Sequence, residues 1–137
     1  SMKEIKTWND LRYSGIKRKG FWISNSSDII NMNYYEGSIH NFTENDKNLF
    51  IDETHAKSAL AMAQISQLMP YYGGKITDEE WHNIETEKYY INMSAFQIIM
   101  GSSWISYYFL AFHTEKQRDE FLKHNEQLVK DYFMIEE

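Results

Sequence analysis

Between residues 54 and 69 apolar side chains recur at spacings of three and four, whereas from Lys88 to His113 they fall on every second position. Helices and strands repeat with periods of about 3.6 and 2 residues, so a chain that carries both patterns in separate blocks can be neither all-helical nor all-β. Because the strand-like positions are consecutive rather than interleaved with helices, the sheet they build is antiparallel. The expected architecture is an α+β single domain with an antiparallel sheet of three or more strands and two main helices packed on it.

The helical block opens at Asp52, whose carboxylate can accept from backbone N–H groups of a first turn, and Glu53 sits against the positive helix end. Ala56, Ala59, Leu60 and Ala63, with Met62, Ile65 and Met69, make its apolar face, and Pro70 stops it. Thr77-Asp78-Glu79-Glu80 has the form of a capping box and predicts a short helix through Trp81 and Ile84. The alternating block then reads as strands over 88–93, 96–100 and 104–112, with Gly101-Ser102-Ser103 as the hairpin turn. The last of these is apolar on both parities and is expected at the centre of the sheet. A second capping box, Thr114-Glu115-Lys116-Gln117, starts a closing helix with a stripe of Phe121, Leu122, Leu128, Val129, Tyr132 and Phe133. Residues 52–135 thus form an α-(short α)-β-β-β-α core. Ahead of it lie a basic arm over 1–20, with a helical turn at 8–11, and an irregular segment over 21–50 with weak strands at 21–23 and 29–35.

At 137 residues the chain has the size of one domain and can bury a core without a staple. With no cysteine, disulfides, thiolate metal sites and cysteine nucleophiles are excluded. The net charge of −6 is uneven. Residues 1–20 hold six bases and two acids, a local +4; the rest hold eight bases and eighteen acids, a local −10. An acidic body repels duplex DNA and anionic membranes and favours basic partners. Neither a signal-peptide core nor an apolar run long enough to span a bilayer is visible, so the expected location is the cytoplasm.

Motifs for chemistry are sparse. No nucleophile elbow, phosphate loop or dinucleotide fingerprint occurs. Glu79 and His82, like Asp52 and His55, share a helix face, but a di-metal site needs further carboxylates on facing helices. His124 follows Glu120 on a solvated face, and His113, at a strand end before a helix start, is the best placed of the five histidines. No catalytic, cofactor-binding or metal-ligating residue is assigned. Two features point to partner binding instead. Arg12, Lys17, Arg18 and Lys19 are interleaved with aromatic rings, Trp22 among them, as in proteins that contact single-stranded nucleic acid. Tyr34, Tyr35, Tyr71 and Tyr72 fall in expected loops, where tyrosines suit a protein interface.

The segments Ala59–Leu68, Ile76–Trp81, Phe109–Thr114 and Arg118–Leu122 resemble blocks of small proteins carried by phages, prophages and mobile elements of gut-type and related anaerobic or flavobacterial bacteria, over about residues 55–135. The resemblance implies a mobile-element origin and carries no residue roles. Proteins of that kind often act as inhibitors or adaptors of host machinery. The expected function is therefore non-enzymatic: inhibition or modulation of a host protein, of the anti-defence or anti-CRISPR type, by docking an acidic aromatic surface on a basic nucleic-acid-binding partner such as a nuclease. On this reading the basic arm is free for a local RNA or DNA contact, and no membrane or cofactor is involved. The alternatives are a virion or assembly protein forming homo-oligomers and a small enzyme pairing a histidine with a carboxylate.

Overall fold

A computed structural model describes residues 4–12, 17–32, 40–41 and 48–137. The protein is α+β, and its chain forms two compact units, residues 1–60 and 61–137.

In the first unit, α1 (Trp8–Arg12) is held by a reciprocal cap. The Asp10 carboxylate accepts from the N–H groups of Lys6 (3.1 Å) and Thr7 (3.0 Å), and the Thr7 hydroxyl accepts from Asp10 N–H (3.2 Å). Strand β1 (Lys17–Arg18) pairs antiparallel with β4 (His40–Asn41). A second antiparallel sheet has β2 (Phe21–Ile23) between β3 (Ile29–Asn31) and β5 (Leu49–Phe50). The connection from β2 to β3 turns on Ser24, whose hydroxyl accepts from Ser26 N–H and Asp28 N–H, while Ser27 takes a positive φ of 64°. Gly20 is required where it stands, because a Cβ there would run into the Phe50 carbonyl. The segment expected to be irregular thus holds a small sheet, with its second strand over Ile29–Asn31; positions 33–35 of the expected strand lie outside the described residues.

Helix α2 (Glu53–Leu68) starts as expected, with Asp52 Oδ1 accepting from His55 N–H at 2.7 Å. A 3-10 turn over Met69–Tyr72 follows, and Gly73 closes it at φ 71°. Helix α3 (Asp78–His82) has the expected capping box on Thr77 and Glu80 but ends at Asn83, leaving Ile84 outside the helix and exposed. Three antiparallel strands come next, β6 (Lys88–Ser94), β7 (Gln97–Ser103) and β8 (Ala111–Phe112), in the spatial order β7-β6-β8. Helix α4 (Glu115–Tyr132) closes the unit, with both halves of its Thr114/Gln117 capping box in place. It is kinked at Asn125 (φ −132°), whose side-chain amide donates to the Phe121 carbonyl at 3.1 Å.

The core of the second unit joins Ala61, Ile65 and Met69 to Ile91, Leu110, Phe112, Phe121 and Val129. Phe112 and Phe121 are fully buried with ring centroids 5.1 Å apart, and burial of each such side chain contributes roughly 1.5–3 kcal/mol. The apolar stripes expected on the two main helices supply half of this list, Ile65, Met69, Phe121 and Val129, while Ala61 lies outside the expected face.

The sheet corrects the sequence reading in two places. The hairpin turn is Ala95-Phe96, not Gly101-Ser102-Ser103: Ser94 pairs with Gln97, and both turn residues have positive φ, 51° and 62°. This is a two-residue turn of the I′ kind, usually made by Asn-Gly, so no turn residue announces it. Gly101 lies inside β7 opposite Tyr90, and a Cβ on it would strike the Tyr90 ring. Its lack of a side chain seats an aromatic ring. Second, residues 104–110 are not a central strand. Only Ala111-Phe112 of the expected 104–112 strand pairs, with Tyr90 and Tyr89, and β6 is the central strand. Apolar residues on both parities of 104–110 arise because this segment is an aromatic loop with its own packing.

Candidate partner-binding surface

The loop over 104–110 is fixed at several points. Lys88, 2% exposed, sends its side chain beneath it, and Nζ donates to the carbonyls of Asn83 (2.8 Å), Trp104 (3.0 Å) and Trp81 (3.5 Å). Three donors meet three acceptors, which is how a buried ammonium is tolerated. The same side chain therefore ties the end of α3 to the start of the loop. The Ser103 hydroxyl then accepts from Ile105 N–H (3.2 Å) and Ser106 N–H (3.0 Å). Tyr107 stacks on Trp81 with centroids 4.9 Å apart, Tyr108 stacks on Tyr90 at 3.9 Å, and Phe109 lies against Tyr132 at 5.0 Å.

What this anchoring leaves outward is apolar. Ile105 is 72% exposed, Tyr107 59% and Trp104 47%, and Ile84 beside α3 is 68% exposed. Large exposed apolar side chains gathered on one loop mark an interaction site more often than a solvent surface. A cleft of about 360 Å³ in the same unit is lined by Trp81, Tyr108, Phe109, Met69, Pro70 and Lys75, among others. The segment 78–87, which holds Trp81 and Ile84, carries Asp78, Glu79, Glu80, Glu85 and Glu87 and no Lys or Arg. Glu87 accepts from Ser102 Oγ (2.6 Å) and Tyr89 OH (2.8 Å), and these bonds, the Ser102 one foremost, hold its carboxyl below the usual glutamate range. The exposed aromatic loop thus packs, through Tyr107 on Trp81, against a short helix in an acidic stretch of chain.

His113 has found a carboxylate. Its Nε2 lies 2.5 Å from Glu80 Oε2 and its Nδ1 2.6 Å from the Gly73 carbonyl. Glu80 is also the capping residue of α3, accepting from Thr77 N–H at 3.1 Å, and that backbone bond is the main reason its carboxyl is held below the ordinary range. Both ring nitrogens are engaged, so the ring clasps the turn at Gly73, the start of α3 and the approach to α4 together. His82 is similarly engaged, Nδ1 on the Asp78 carbonyl at 2.7 Å and Nε2 3.4 Å from the Tyr107 hydroxyl. Among the described residues no group of three or more carboxylate and imidazole ligands is placed to hold a metal. No helix among them is long and apolar enough to cross a membrane.

The residues singled out in the sequence divide between the two units. Arg12 ends α1 and Lys17 and Arg18 form β1, their side chains lying outside the described part; Lys19 is exposed, and Trp22, on β2, is 36% exposed. Tyr34 and Tyr35 lie outside the described residues. Tyr71 is exposed, but Tyr72 is half-buried, its ring edge-on to Phe121 at 5.2 Å. The sequence reading passed over Trp104, Ile105 and Tyr107 as strand residues. No sequence signal marks them: what fixes the loop is the burial of Lys88, which shows only in the structure, since a lysine is ordinarily exposed. Comparison with protein-family models, with curated proteins and with solved structures found no match.

Proposed function

We propose that the protein is a non-enzymatic binding protein that docks an acidic aromatic surface on a basic protein partner. The observation that supports this most is the anchored 104–110 loop, which holds Trp104, Ile105 and Tyr107 outward on a fixed backbone. Rigid aromatic anchors inside a charged rim are the usual composition of a binding hot spot, since their side-chain freedom is already lost before contact. The acidic stretch supplies long-range attraction to a cationic partner and sets the approach, while the rings supply the short-range contact. Surfaces that bind nucleic acid are cationic, and the resemblance to mobile-element proteins makes a host nuclease the first partner to test. A docked acidic surface there would compete with the nucleic acid for the same ground.

The test is binding to such a nuclease, measured at rising salt, for the wild type and for Ile105→Asp and Tyr107→Ala. Loss of a hot-spot side chain weakens binding about 30-fold, corresponding to about 2 kcal/mol. Raised salt should slow association. Binding untouched by either variant would remove this surface from the mechanism, and binding untouched by salt would remove its electrostatic part.

A further inference from the structure

Strand β7 is the terminal strand of the β7-β6-β8 sheet, and among the described residues nothing pairs with its outer side. Proteins usually guard such an edge with a lysine, a proline or an inward charge. Gln97-Ile98-Ile99-Met100-Gly101-Ser102-Ser103 has none of these, and no Asp, Glu, Lys or Arg occurs between Lys88 and Glu115. At the tip, Phe96 is 83% exposed in a positive-φ conformation that a bulky residue rarely adopts, so an aromatic ring is displayed there against local preference.

We propose that the β7 edge pairs antiparallel with β7 of a second copy of this chain, about a two-fold axis at Met100. A two-fold interface must be complementary to itself, so residues on either side of the axis have to suit one another in mirrored positions. The exposed apolar residues of this segment meet that condition. Met100, 51% exposed, faces its own counterpart, and the exposed Phe96 stands at the turn just before the strand. Between them Ile99, the other exposed aliphatic, falls opposite Gly101, which adds no bulk. The Ile91 N–H goes to the Leu110 carbonyl on the β8 side, so Ile91 and Met100 are a non-hydrogen-bonded pair and the backbone groups of Ile98, Met100 and Ser102 face the open edge. Charge points to the same occupant. Each chain carries −6, yet β7 itself bears no charged residue, and the charged groups that touch it, Glu87 on Ser102 and Arg118 on Gly101, are offset from an axis at Met100, so two copies can join here without setting like charges face to face. The pairing joins two three-stranded sheets into one of six strands, and it does not depend on the docking reading above.

Sedimentation velocity from micromolar to millimolar chain gives the test. The wild type is expected to form a dimer. Met100→Lys sets two ammonium groups against each other at the axis and should weaken the dimer at least tenfold, as should Met100→Glu. Mixing the two variants should restore association, because each lysine then meets a glutamate, which happens only if residue 100 faces its own counterpart. Thermal melts confirm that the variants fold; should the Met100 variants melt early, Phe96→Ser, at the exposed tip, replaces them with the same expected loss. A wild type that stays monomeric at millimolar concentration, a dimer that Met100→Lys leaves intact, or a lysine–glutamate mixture that stays monomeric overturns the proposal.

Discussion

Replacing Lys88 by Met keeps most of the stem and removes the three donors beneath the aromatic loop. Two of the bonds, to Asn83 and Trp104, have good lengths of 2.8 and 3.0 Å, and the third, to Trp81 at 3.5 Å, is marginal. Hydrogen bonds to a charged partner contribute about 1.5–3 kcal/mol each, and acceptors left unpaired carry a desolvation cost of similar size. Against this, Met spares the protein the cost of burying an ammonium, which offsets part of the loss. The balance is a destabilisation of about 3 kcal/mol, or roughly 10 °C in the melting temperature. Urea unfolding followed by far-ultraviolet circular dichroism measures the stability. With Trp8 and Trp22 replaced by Phe, tryptophan fluorescence reports Trp81 and Trp104, and their environment should loosen at lower urea than the helices do. A Lys88→Met protein within about 0.5 kcal/mol of wild type would refute the argument, because it would mean that the carbonyls of residues 81, 83 and 104 find other donors as good.

Two further outcomes follow from the same geometry. Ala95-Phe96→Asn-Gly supplies the residues that a two-residue positive-φ turn favours and should raise stability by about 1–2 kcal/mol in chemical denaturation, with no gain if the turn relaxes into another form. Glu80 has a lowered folded-state pKa, so its ionised contacts stabilise the protein above the carboxyl's unfolded pKa and are lost as pH falls through the folded value. The stability gap between wild type and Glu80→Gln should therefore be widest near about pH 7 and close below about pH 4, as read from urea midpoints across that range.

Helix positions were legible because their signals are local. Asp52, Thr77 and Thr114 cap where the sequence predicts, and Pro70 stops the α2 pattern. Strand identity was legible only as a block. Alternation shows that 88–112 contains strands, but nothing in it separates a glycine that turns the chain from one that seats a ring, since that depends on Tyr90, eleven residues earlier. The same holds for the candidate surface. Trp104 and Ile105 alternate like strand residues, and what takes them out of the sheet is a set of long-range partners: the Lys88 side chain, and Trp81 under Tyr107. Tyr72 shows the converse, a residue in an expected loop that reaches the core because Phe121 lies across from it.

The seat at Gly101 has a consequence for how the sheet finds its alignment. With no charge on β7 and apolar residues on both of its faces, sliding the hairpin by two positions would keep every side chain on its proper face and incur little from sequence alone. Such a slip would carry Ile99 or Ser103 beneath the Tyr90 ring, evict it, and break its stack with Tyr108. The one position without a side chain therefore selects among otherwise near-equal pairings, and proofreading of the fold in this sheet rests on an absence of atoms.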